Sequence, residues 1–320
     1  RGIWLDMKGP EDDQIPLDHS TQWQFVNPRA GVSFHWNPRH KAYVSAALGH
    51  REPGRSDIKE NIKNAYVAAQ AGITGEGVSL RPEKMLDMEF GYSYMTEDLS
   101  LSATLYMMEY WDMLLETGRL TNVGYAIKEN VDRSWRRGVE LAAGWQALDW
   151  LRADANLSLS MNQIKDYVEY VQNVDDDWNM TGRTTEMKYG RTTMLMSPSL
   201  TGMARIAFSP WRGIASNSLK TTTLAIDGKY VGKQYYDNTM SDERSIPAYF
   251  VGNLSLGYEL PVKESSLSLS LHVNNLFNHI YYADAWLWRA YFQESDTYYN
   301  QVGLYPQAPV NFMFKVGWKF

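Results

Sequence analysis

The sequence predicts an all-β fold, a transmembrane antiparallel up-and-down β-barrel, on three observations. Apolar and polar residues alternate with a period of two, the alternating segments are long, and the connections between them alternate in length. The last eleven residues, VNFMFKVGWKF, illustrate the first observation. Side chains two apart share one face of a strand. The apolar positions that fall on one face here are Val310, Phe312, Phe314, Val316, Trp318 and Phe320.

The alternating pattern recurs in about twelve segments along the chain. They lie near residues 2–8, 29–37, 41–50, 82–95, 99–112, 133–147, 151–164, 197–208, 218–235, 247–260, 266–279 and 307–320. Several run about 10–14 residues, whereas strands of globular proteins are typically about 5–6 residues long. A tilted strand that crosses a membrane needs about 9–11 residues. Segment length therefore favours a lipid-facing sheet.

The connections alternate in length. The short ones contain WNPRH, TED, ALDW, SPWRGIASN and PVKES, and the long ones cover 9–28, 51–81, 113–132, 165–196, 236–246 and 280–306. Short turns at one end and long loops at the other are typical of outer-membrane barrels. With the short turns in the periplasm, Phe320 lies at the inner rim, in an aromatic girdle with Trp145, Phe208, Trp211 and Tyr258. The alternative is a β-sandwich in water, which has no reason to keep this alternation.

Composition narrows the function classes. The 320 residues carry a formal charge of −6, which argues against a nucleic-acid partner because such proteins normally present a basic surface. With no Cys, disulfides, cysteine-ligated zinc and thiol nucleophiles are excluded. The sequence contains no apolar run of 18 or more residues, so it predicts no membrane-crossing helix. The excess of 12 Trp and 21 Tyr suits a membrane–water interface.

Several segments resemble, in order along the chain, segments of TonB-dependent outer-membrane receptors. LRPEKMLDMEFGY (Leu80–Tyr92) resembles their LxPE…ELGY segment, and LSATLYMMEYWDML resembles the strand that follows it. RSWRRGVELAAGW resembles the GxELE strand, and VNNLFNHIYY (Val273–Tyr282) resembles the NLFDxxY segment, with Asn278 where Asp is usual. HREPGRSD and YVGKQYYDN resemble variants in receptors from Bacteroidetes-type bacteria. The closing strand resembles the family's assembly signal.

The resemblance implies a plugged barrel of roughly 22 strands. The chain shows about twelve of them and lacks a recognisable plug domain, TonB box or signal sequence. We therefore expect residues 1–320 to be the C-terminal half of a receptor barrel, with the plug and the N-terminal strands absent from this chain. A half-barrel exposes two sheet edges, which lipid does not tolerate. The remaining strands and the plug are expected beside it, in the same receptor or as a separate chain.

The resemblance also implies a function. A TonB-dependent receptor of a Gram-negative outer membrane imports a scarce ligand such as a siderophore, haem or a corrinoid. TonB, ExbB and ExbD supply the energy through the plug, which this chain lacks. This chain would supply the barrel wall, in contact with outer-membrane lipid, and the outer loops. An iron chelate is favoured over an oligosaccharide by the VNNLF ending alone, so the oligosaccharide importer of the same family stays open.

Two groups of residues are candidates for ligand binding. Aromatic rings crowd the last long connection, where exposed rings in such number indicate either a stacking surface for a planar or sugar-like ligand or packing among the loops. The candidates there are Trp286, Trp288, Tyr291 and Phe292. Arg51 and Arg55 lie at the outer end of a strand, where two guanidinium groups could hold an anionic chelate or a plug carboxylate. Structural pairing with Glu52 or Asp57 is the alternative.

The sequence contains no catalytic motif and indicates neither an enzyme nor a cofactor. It has no G-x-S-x-G, H-E-x-x-H or P-loop sequence. Asp175–Asp177 could supply oxygen ligands to Ca²⁺, but without further ligand spacing a solvated loop is favoured, and no metal site is predicted. The rival classes are a barrel enzyme such as a phospholipase, which would need a Ser–His pair at the lipid-facing rim, and a porin with an open lumen.

Overall fold

The computed structural model describes residues 1–7, 15, 17–70, 80–120, 125–212, 220–262 and 265–320. In these ranges the chain is mostly β-structure, with an α-helix, α1 (Arg55–Gln70), between the fourth and fifth strands. The strands in chain order are β1 (Gly2–Met7), β2 (His19–Gln24), β3 (Arg29–Asn37), β4 (His40–Arg51), β5 (Glu83–Met95), β6 (Leu99–Leu120), β7 (Ala126–Leu148), β8 (Leu151–Val174), β9 (Met180–Thr193), β10 (Leu200–Phe208), β11 (Thr223–Val231), β12 (Gln234–Tyr235), β13 (Ser245–Ile246), β14 (Tyr249–Val262), β15 (Ser265–Asn274), β16 (Tyr282–Phe292), β17 (Thr297–Pro306) and β18 (Asn311–Lys319).

One large sheet contains 14 of these strands. Eleven follow a single antiparallel path in the order β18, β15, β14, β11, β10, β8, β7, β6, β5, β4 and β3, which confirms the predicted fold class. The strand predicted near residues 2–8 exists but lies outside this path. It pairs with β2 in a separate two-stranded sheet, so the path has eleven strands where the sequence predicts about twelve.

Apolar side chains on neighbouring strands lie directly opposite one another. One row of cross-strand partners runs through Phe312, Val273, Leu254, Ile226, Ile206, Ala153, Trp145 and Leu99. A second row runs through Leu200, Leu159, Val139, Leu105, Phe90, Val44 and Val32. Most of these side chains are exposed or half-buried. An exposed apolar band across a sheet is the surface that hydrocarbon solvates.

The opposite face of the same strands is polar. Arg205 on β10 lies opposite both Asp154 on β8 and Asp227 on β11, so the two flanking carboxylates face a guanidinium. The Nδ2 atom of Asn253 donates to Oδ2 of Asp227 at 2.8 Å. A sheet with apolar side chains on its outer face and polar side chains on its inner face is the wall of a barrel with a water-filled lumen.

The predicted difference between the two ends of the sheet is confirmed. β3–β4, β5–β6 and β7–β8 are joined by tight turns at one end, which we call the lower end. Aromatic rings gather there, with Trp150 packed edge-on against Phe208 at 5.2 Å and Phe34 against Trp36 at 5.2 Å. Phe320, at 97% exposure, ends the chain at this rim, as the sequence predicts.

The long connections differ from the predicted loops, and much of their length is regular structure. β6, β7 and β8 continue to 22, 23 and 24 residues, well beyond the roughly 9–11 that a bilayer needs. The connection predicted at 165–196 is the top of β8 followed by β9, and that at 280–306 is the β16–β17 hairpin. The connection at 51–81 contains α1. Above the membrane the strands continue, so their backbone N–H and C=O groups keep hydrogen bonds to the neighbouring strand.

The turn after β15 is fixed by two asparagines. Asn275, with φ 52°, donates from Nδ2 to the carbonyls of His279 and Ala308, at 2.8 and 3.1 Å. The Oδ1 atom of Asn278 accepts the Val310 N–H at 3.0 Å. A carboxylate oxygen could accept the same hydrogen bond from Val310. Asn278 can therefore replace the Asp that is usual in the NLFDxxY segment.

The edges of the eleven-strand path do not meet. Within the described residues, β3 and β18 are not paired with each other, so the path stays open between them. No helix in the described part of the chain is long and apolar enough to cross a membrane.

Candidate functional site

The upper end of the sheet forms a mouth, which we define as the tops of β6–β8, β9, residues 234–246 and the β16–β17 hairpin. β16 reaches across the sheet and pairs in parallel with the top of β8, where Ala290 lies opposite Gln172 and Phe292 opposite Val174. The connection containing β12 and β13 is tied down by Asn238, which donates to the Glu116 carbonyl at 3.2 Å. Segments far apart in sequence therefore meet around the top of β8.

A buried ionic cluster holds these segments together. Glu169 on β8 is 3% exposed, and its Oε1 accepts from Nη1 of Arg244 at 2.9 Å and from Nη1 of Arg289 at 2.7 Å. Its Oε2 accepts from the Tyr189 hydroxyl at 2.9 Å. Asp237 Oδ2 accepts from the same Arg244 nitrogen at 2.6 Å. Two guanidinium groups and two carboxylates balance in charge, which low-dielectric surroundings require.

The electrostatics of the cluster keep Arg244 charged. Burial lowers the pKa of Arg244, but the Asp237 and Glu169 carboxylates outweigh burial and the net shift is upward. Burial raises the pKa of Asp237, while Arg244 and the hydrogen bonds from Thr239 pull it down without cancelling the rise. Acidification through this raised pKa therefore neutralises Asp237 and removes its ion pair with Arg244.

An aromatic cluster lies beside the ionic one. Trp178, in the β8–β9 turn, stacks on Trp288 at 6.2 Å and meets Phe292 and Tyr299 edge-on, each at 4.9 Å. Trp288 Nε1 donates to Gln172 at 2.9 Å, which fixes its ring against β8. Trp178 and Tyr299 remain 51% and 40% exposed. The sequence predicts Trp288 and Phe292 as ligand-binding candidates, and the structure brings these two together.

The other two predicted rings lie elsewhere. Tyr291 is at the tip of the β16–β17 hairpin, where its hydroxyl donates to Asp296 at 2.8 Å and its ring lies 4.8 Å from Tyr298. Trp286 covers Gly303 on the partner strand, where an added Cβ would lie 1.9 Å from the indole Nε1. Tyr291 lies on the opposite face of β16 from the three even-numbered candidates, because side chains alternate along a strand. Trp286 shares their face but lies over Gly303, so the four rings do not form one surface.

A cavity of about 560 Å³ separates the β16–β17 hairpin from the tops of β6–β8. Trp286, Glu116, Asp284 and Tyr305 line it, and Glu169 and Arg289 of the ionic cluster form part of its wall. Pockets of about 300–1,000 Å³ with a few placed polar groups hold small molecules. No sequence pattern points to Glu116 or Asp284, since neither belongs to a motif.

The two candidate arginines have different environments. Arg51, at the top of β4, pairs through Nε with Oε2 of Glu83 at 2.6 Å, and the other oxygen of Glu83 accepts the Leu114 N–H. Arg55, at the start of α1, is exposed and has no ion-pair partner among the described residues. Both line a cleft of about 460 Å³ that also contains Trp4. The predicted alternatives, pairing with Glu52 or Asp57, do not occur for Arg51.

The Asp175–Asp177 segment is a turn. Asp175 Oδ1 accepts the N–H groups of Asp177 and Asn179, at 3.0 and 2.7 Å, and Oδ2 accepts from the Asn179 amide. These hydrogen bonds lower the pKa of Asp175. Among the described residues, no group of three or more His, Asp or Glu side chains is placed to hold a metal ion.

The sequence and the fold match a known receptor family. Residues 8–276 match the model of the family described as TonB dependent receptor-like, beta-barrel. The chain belongs to this family. Receptors of the family are located in the outer membrane of Gram-negative bacteria, interact with TonB and are transporters or receptors.

Solved structures of TonB-dependent receptors share this fold. The ferric-catecholate import receptor Fiu from E. coli K12 has 16% identity and a TM-score of 0.59, with 95% of this chain covered and 36% of that one. The siderophore receptor PiuA from Acinetobacter baumannii has 16% identity and a TM-score of 0.62, with 94% and 36% covered. The ferric citrate transporter FecA has 16% identity and a TM-score of 0.62, with 95% and 39% covered.

The chain thus spans well under half the length of the receptors it resembles in structure. At such identities the likeness concerns the fold. No curated protein sequence matches the chain significantly.

Proposed function

We propose that this TonB-dependent receptor chain serves the active import of a small, scarce ligand across a Gram-negative outer membrane. The ligand class is a siderophore, haem, a corrinoid or a similar chelate. The observation that carries the proposal is the cavity of about 560 Å³ at the mouth, because it combines an aromatic wall at Trp286 with a polar wall tied to the sheet by Glu169 and Arg289. The barrel wall makes and breaks no bonds in this scheme.

In the proposed cycle the ligand first binds at the mouth, where the ionic cluster keeps the cavity walls fixed. Pre-formed walls reduce the ordering cost of binding. TonB, ExbB and ExbD then act through a plug supplied outside this chain. Support for the iron-chelate class comes from Fiu, PiuA and FecA, which are a ferric-catecholate import receptor, a siderophore receptor and a ferric citrate transporter.

The test compares two tryptophans in the full-length receptor. Trp286→Ala removes a ring from the cavity wall, and Trp36→Ala removes an exposed ring at the lower rim, where ligand does not bind. Binding is measured by fluorescence titration with a panel of ferric siderophores, haem and cobalamin. We expect Trp286→Ala to weaken binding of one panel member by about 10-fold or more, because a single aromatic ring in contact with a ligand contributes that much to affinity. Trp36→Ala should leave the affinity for that panel member unchanged. Equal affinities of both variants and the wild type would refute the site.

The aromatic cluster supports a second ligand class, an oligosaccharide. Trp178 and Tyr299 keep exposed rings beside Trp288, and exposed rings at a mouth suit stacking on sugar faces. The same titration with a panel of soluble glycans separates the two classes. Loss of glycan binding on Trp178→Ala, with Trp286→Ala unaffected, would favour the oligosaccharide importer over the chelate importer.

We also propose that the chain is the C-terminal half of a larger plugged barrel, with further strands paired to its free edges. Support comes from β3 and β18, which are not paired with each other in the described residues. No native Cys of these 320 residues competes with the pair Val32→Cys and Phe314→Cys, which reports on the two edges. The full-length receptor should give no disulfide between them on oxidation. Efficient cross-linking would mean that β3 and β18 close the barrel directly, and the half-barrel proposal would be wrong.

A further inference from the structure

Cationic side chains form one row across five adjacent strands. Lys84 on β5 lies opposite Trp111 on β6, and Trp111 lies opposite Arg133 on β7. Arg133 lies opposite Lys165 on β8, and Lys165 lies opposite Arg191 on β9. We call these four cations with Trp111 the basic row. Like charges directly opposite each other destabilise a sheet, so such a row requires a compensating contact.

The basic row is on the face of the sheet that carries the apolar band. Residues an even number of positions apart along a regular strand share a face, and six positions below Lys84, Arg133 and Lys165 lie Phe90, Val139 and Leu159. Those three belong to the second apolar row described above. Six residues span about 20 Å along a strand. The four cations are all exposed, with the side chains of Arg133 and Lys165 at 51% and 59%.

The height of the basic row corresponds to the outer headgroups. β6 begins at the lower rim with Leu99, and Trp111 is its thirteenth residue. A crossing strand uses about 9–11 residues in the bilayer, so Trp111 lies just above the hydrocarbon. Trp is enriched at this depth, where one side of the ring meets chains and the other meets water.

Two acidic side chains neutralise part of the charge. Glu109, one row below, pairs with Arg137 at 2.5 Å and reaches Arg133 at 3.7 Å. Asp166 lies 3.5 Å from Lys165. Within the described residues Lys84 and Arg191 have no ion pair, so five cations, with Arg137 included, face two carboxylates. An excess of about three positive charges remains on the lipid-facing surface.

Indole rings position four of the five cations. Lys84 Nζ lies 5.2 Å from the centre of the Trp111 ring, and the Arg133 guanidinium lies 5.4 Å from it. The guanidinium groups of Arg137 and Arg191 lie 5.4 and 5.7 Å from the Trp135 ring. These contacts orient long side chains that would otherwise move freely, and they leave the guanidinium N–H groups of Arg133 and Arg191 available for an anion.

We propose that the basic row binds the phosphate groups of an outer-leaflet lipid whose headgroup carries more than one phosphate. Guanidinium and ammonium groups at headgroup height match phosphates spaced along a membrane surface. The apolar residues directly below would contact the acyl chains of the same molecule, which a free phosphate ion could not use. The inference rests on the proposed outer-membrane location and is independent of which ligand is imported.

The experiment uses the full-length receptor in detergent and two matched double variants. Lys165→Gln with Arg191→Gln removes two cations of the basic row. Arg183→Gln with Lys188→Gln removes two exposed cations higher on β9 and is the control, with the same change in net charge. Binding is measured by native mass spectrometry with bisphosphorylated lipid A, dephosphorylated lipid A and sodium phosphate. Retained heat-modifiable gel migration verifies that both variants are folded.

We expect the basic-row variant to bind bisphosphorylated lipid A about 30-fold more weakly, since each surface cation contributes about five-fold. The control variant and the wild type should bind it equally, and dephosphorylated lipid A should bind weakly to all three. Equal weakening in both variants would overturn the proposal, as would equal binding of the dephosphorylated lipid. Competition by millimolar sodium phosphate would also overturn it, because the site would then hold a free anion. If the wild-type receptor binds bisphosphorylated lipid A but imports no ligand, that result would count against the proposed function alone.

Discussion

Replacing Glu169 by Gln tests whether the ionic cluster holds the mouth together. The amide keeps the size of the side chain but removes the charge that Arg244 and Arg289 share, and it leaves Asp237 as the single carboxylate for two guanidinium groups. Removing one member of a buried ion pair costs about 3–5 kcal/mol, because the partner charge stays buried. The matched control is Glu186→Gln on β9, where an exposed pair with Lys188 at 3.6 Å contributes about 0–1 kcal/mol.

The assay is hydrogen exchange of the full-length receptor, read at the β16–β17 hairpin and at residues 234–246. Because about 1.4 kcal/mol corresponds to a tenfold change in an equilibrium, Glu169→Gln should reduce protection in both segments by at least about 100-fold. Protection in the lower halves of β6–β8 should stay unchanged in both variants. Equal protection of the mouth in Glu169→Gln and Glu186→Gln would refute the reasoning, since the ionic cluster would then not stabilise the two mouth segments.

Three further predictions concern single sites in the mouth and the turn below it. Gly303→Ala places a methyl group within 1.9 Å of the Trp286 indole, so the ring must leave the cavity wall, which a red-shifted or quenched tryptophan emission should report. Glu294 shares a hydrogen bond with Asp176, which raises the pKa of Glu294. The contact between the two hairpin tips is therefore present at acid pH and lost as the pH rises through that raised pKa. Spin labels on the tips should show them separating with pH in the wild type and not in Glu294→Gln, whose amide donates at every pH. Asn275→Ala removes two hydrogen bonds, to the carbonyls of His279 and Ala308, and should lower the free energy of unfolding in urea by about 1–3 kcal/mol.

The barrel wall could be predicted from the sequence because one physical requirement repeats along it. Lipid demands an apolar side chain at every second position, and residues 254–262 of β14 and 267–273 of β15 meet that demand without a break. Leu256 lies opposite Leu271 and Leu260 opposite Leu267, as period-two alternation requires. The position of the short turns followed from the same argument, because each strand must reverse at the membrane surface.

The mouth could not be predicted to the same extent, because its contacts join residues that no local pattern relates. Glu169 and Arg289 are 120 positions apart, and Glu169 belongs to no motif and lies in a segment that the sequence predicts as a loop. Trp178 lies outside the aromatic-rich stretch at 280–306, yet it is the centre of the aromatic cluster. In the connection predicted at 9–28, residues 9–14 and 16 lie outside the described ranges, and the described part contains β2.

Asp166 on β8 explains why the alternation of apolar and polar residues no longer predicts which face a side chain occupies above the membrane. Up to Lys165 the odd-numbered side chains are exposed or half-buried on the lipid side, whereas Tyr167 and Glu169 are buried. Between them Asp166 has φ 54°, a left-handed conformation that Asp tolerates better than most residues and that turns the following side chains to the other face. Asp112, with φ 55°, occupies the corresponding height on β6, directly after Trp111 of the basic row. These two aspartates mark the level at which the strands leave the barrel wall and begin to build the mouth. The same strand can therefore present a cation to the lipid headgroups and, four residues later, a carboxylate to the interior of the mouth.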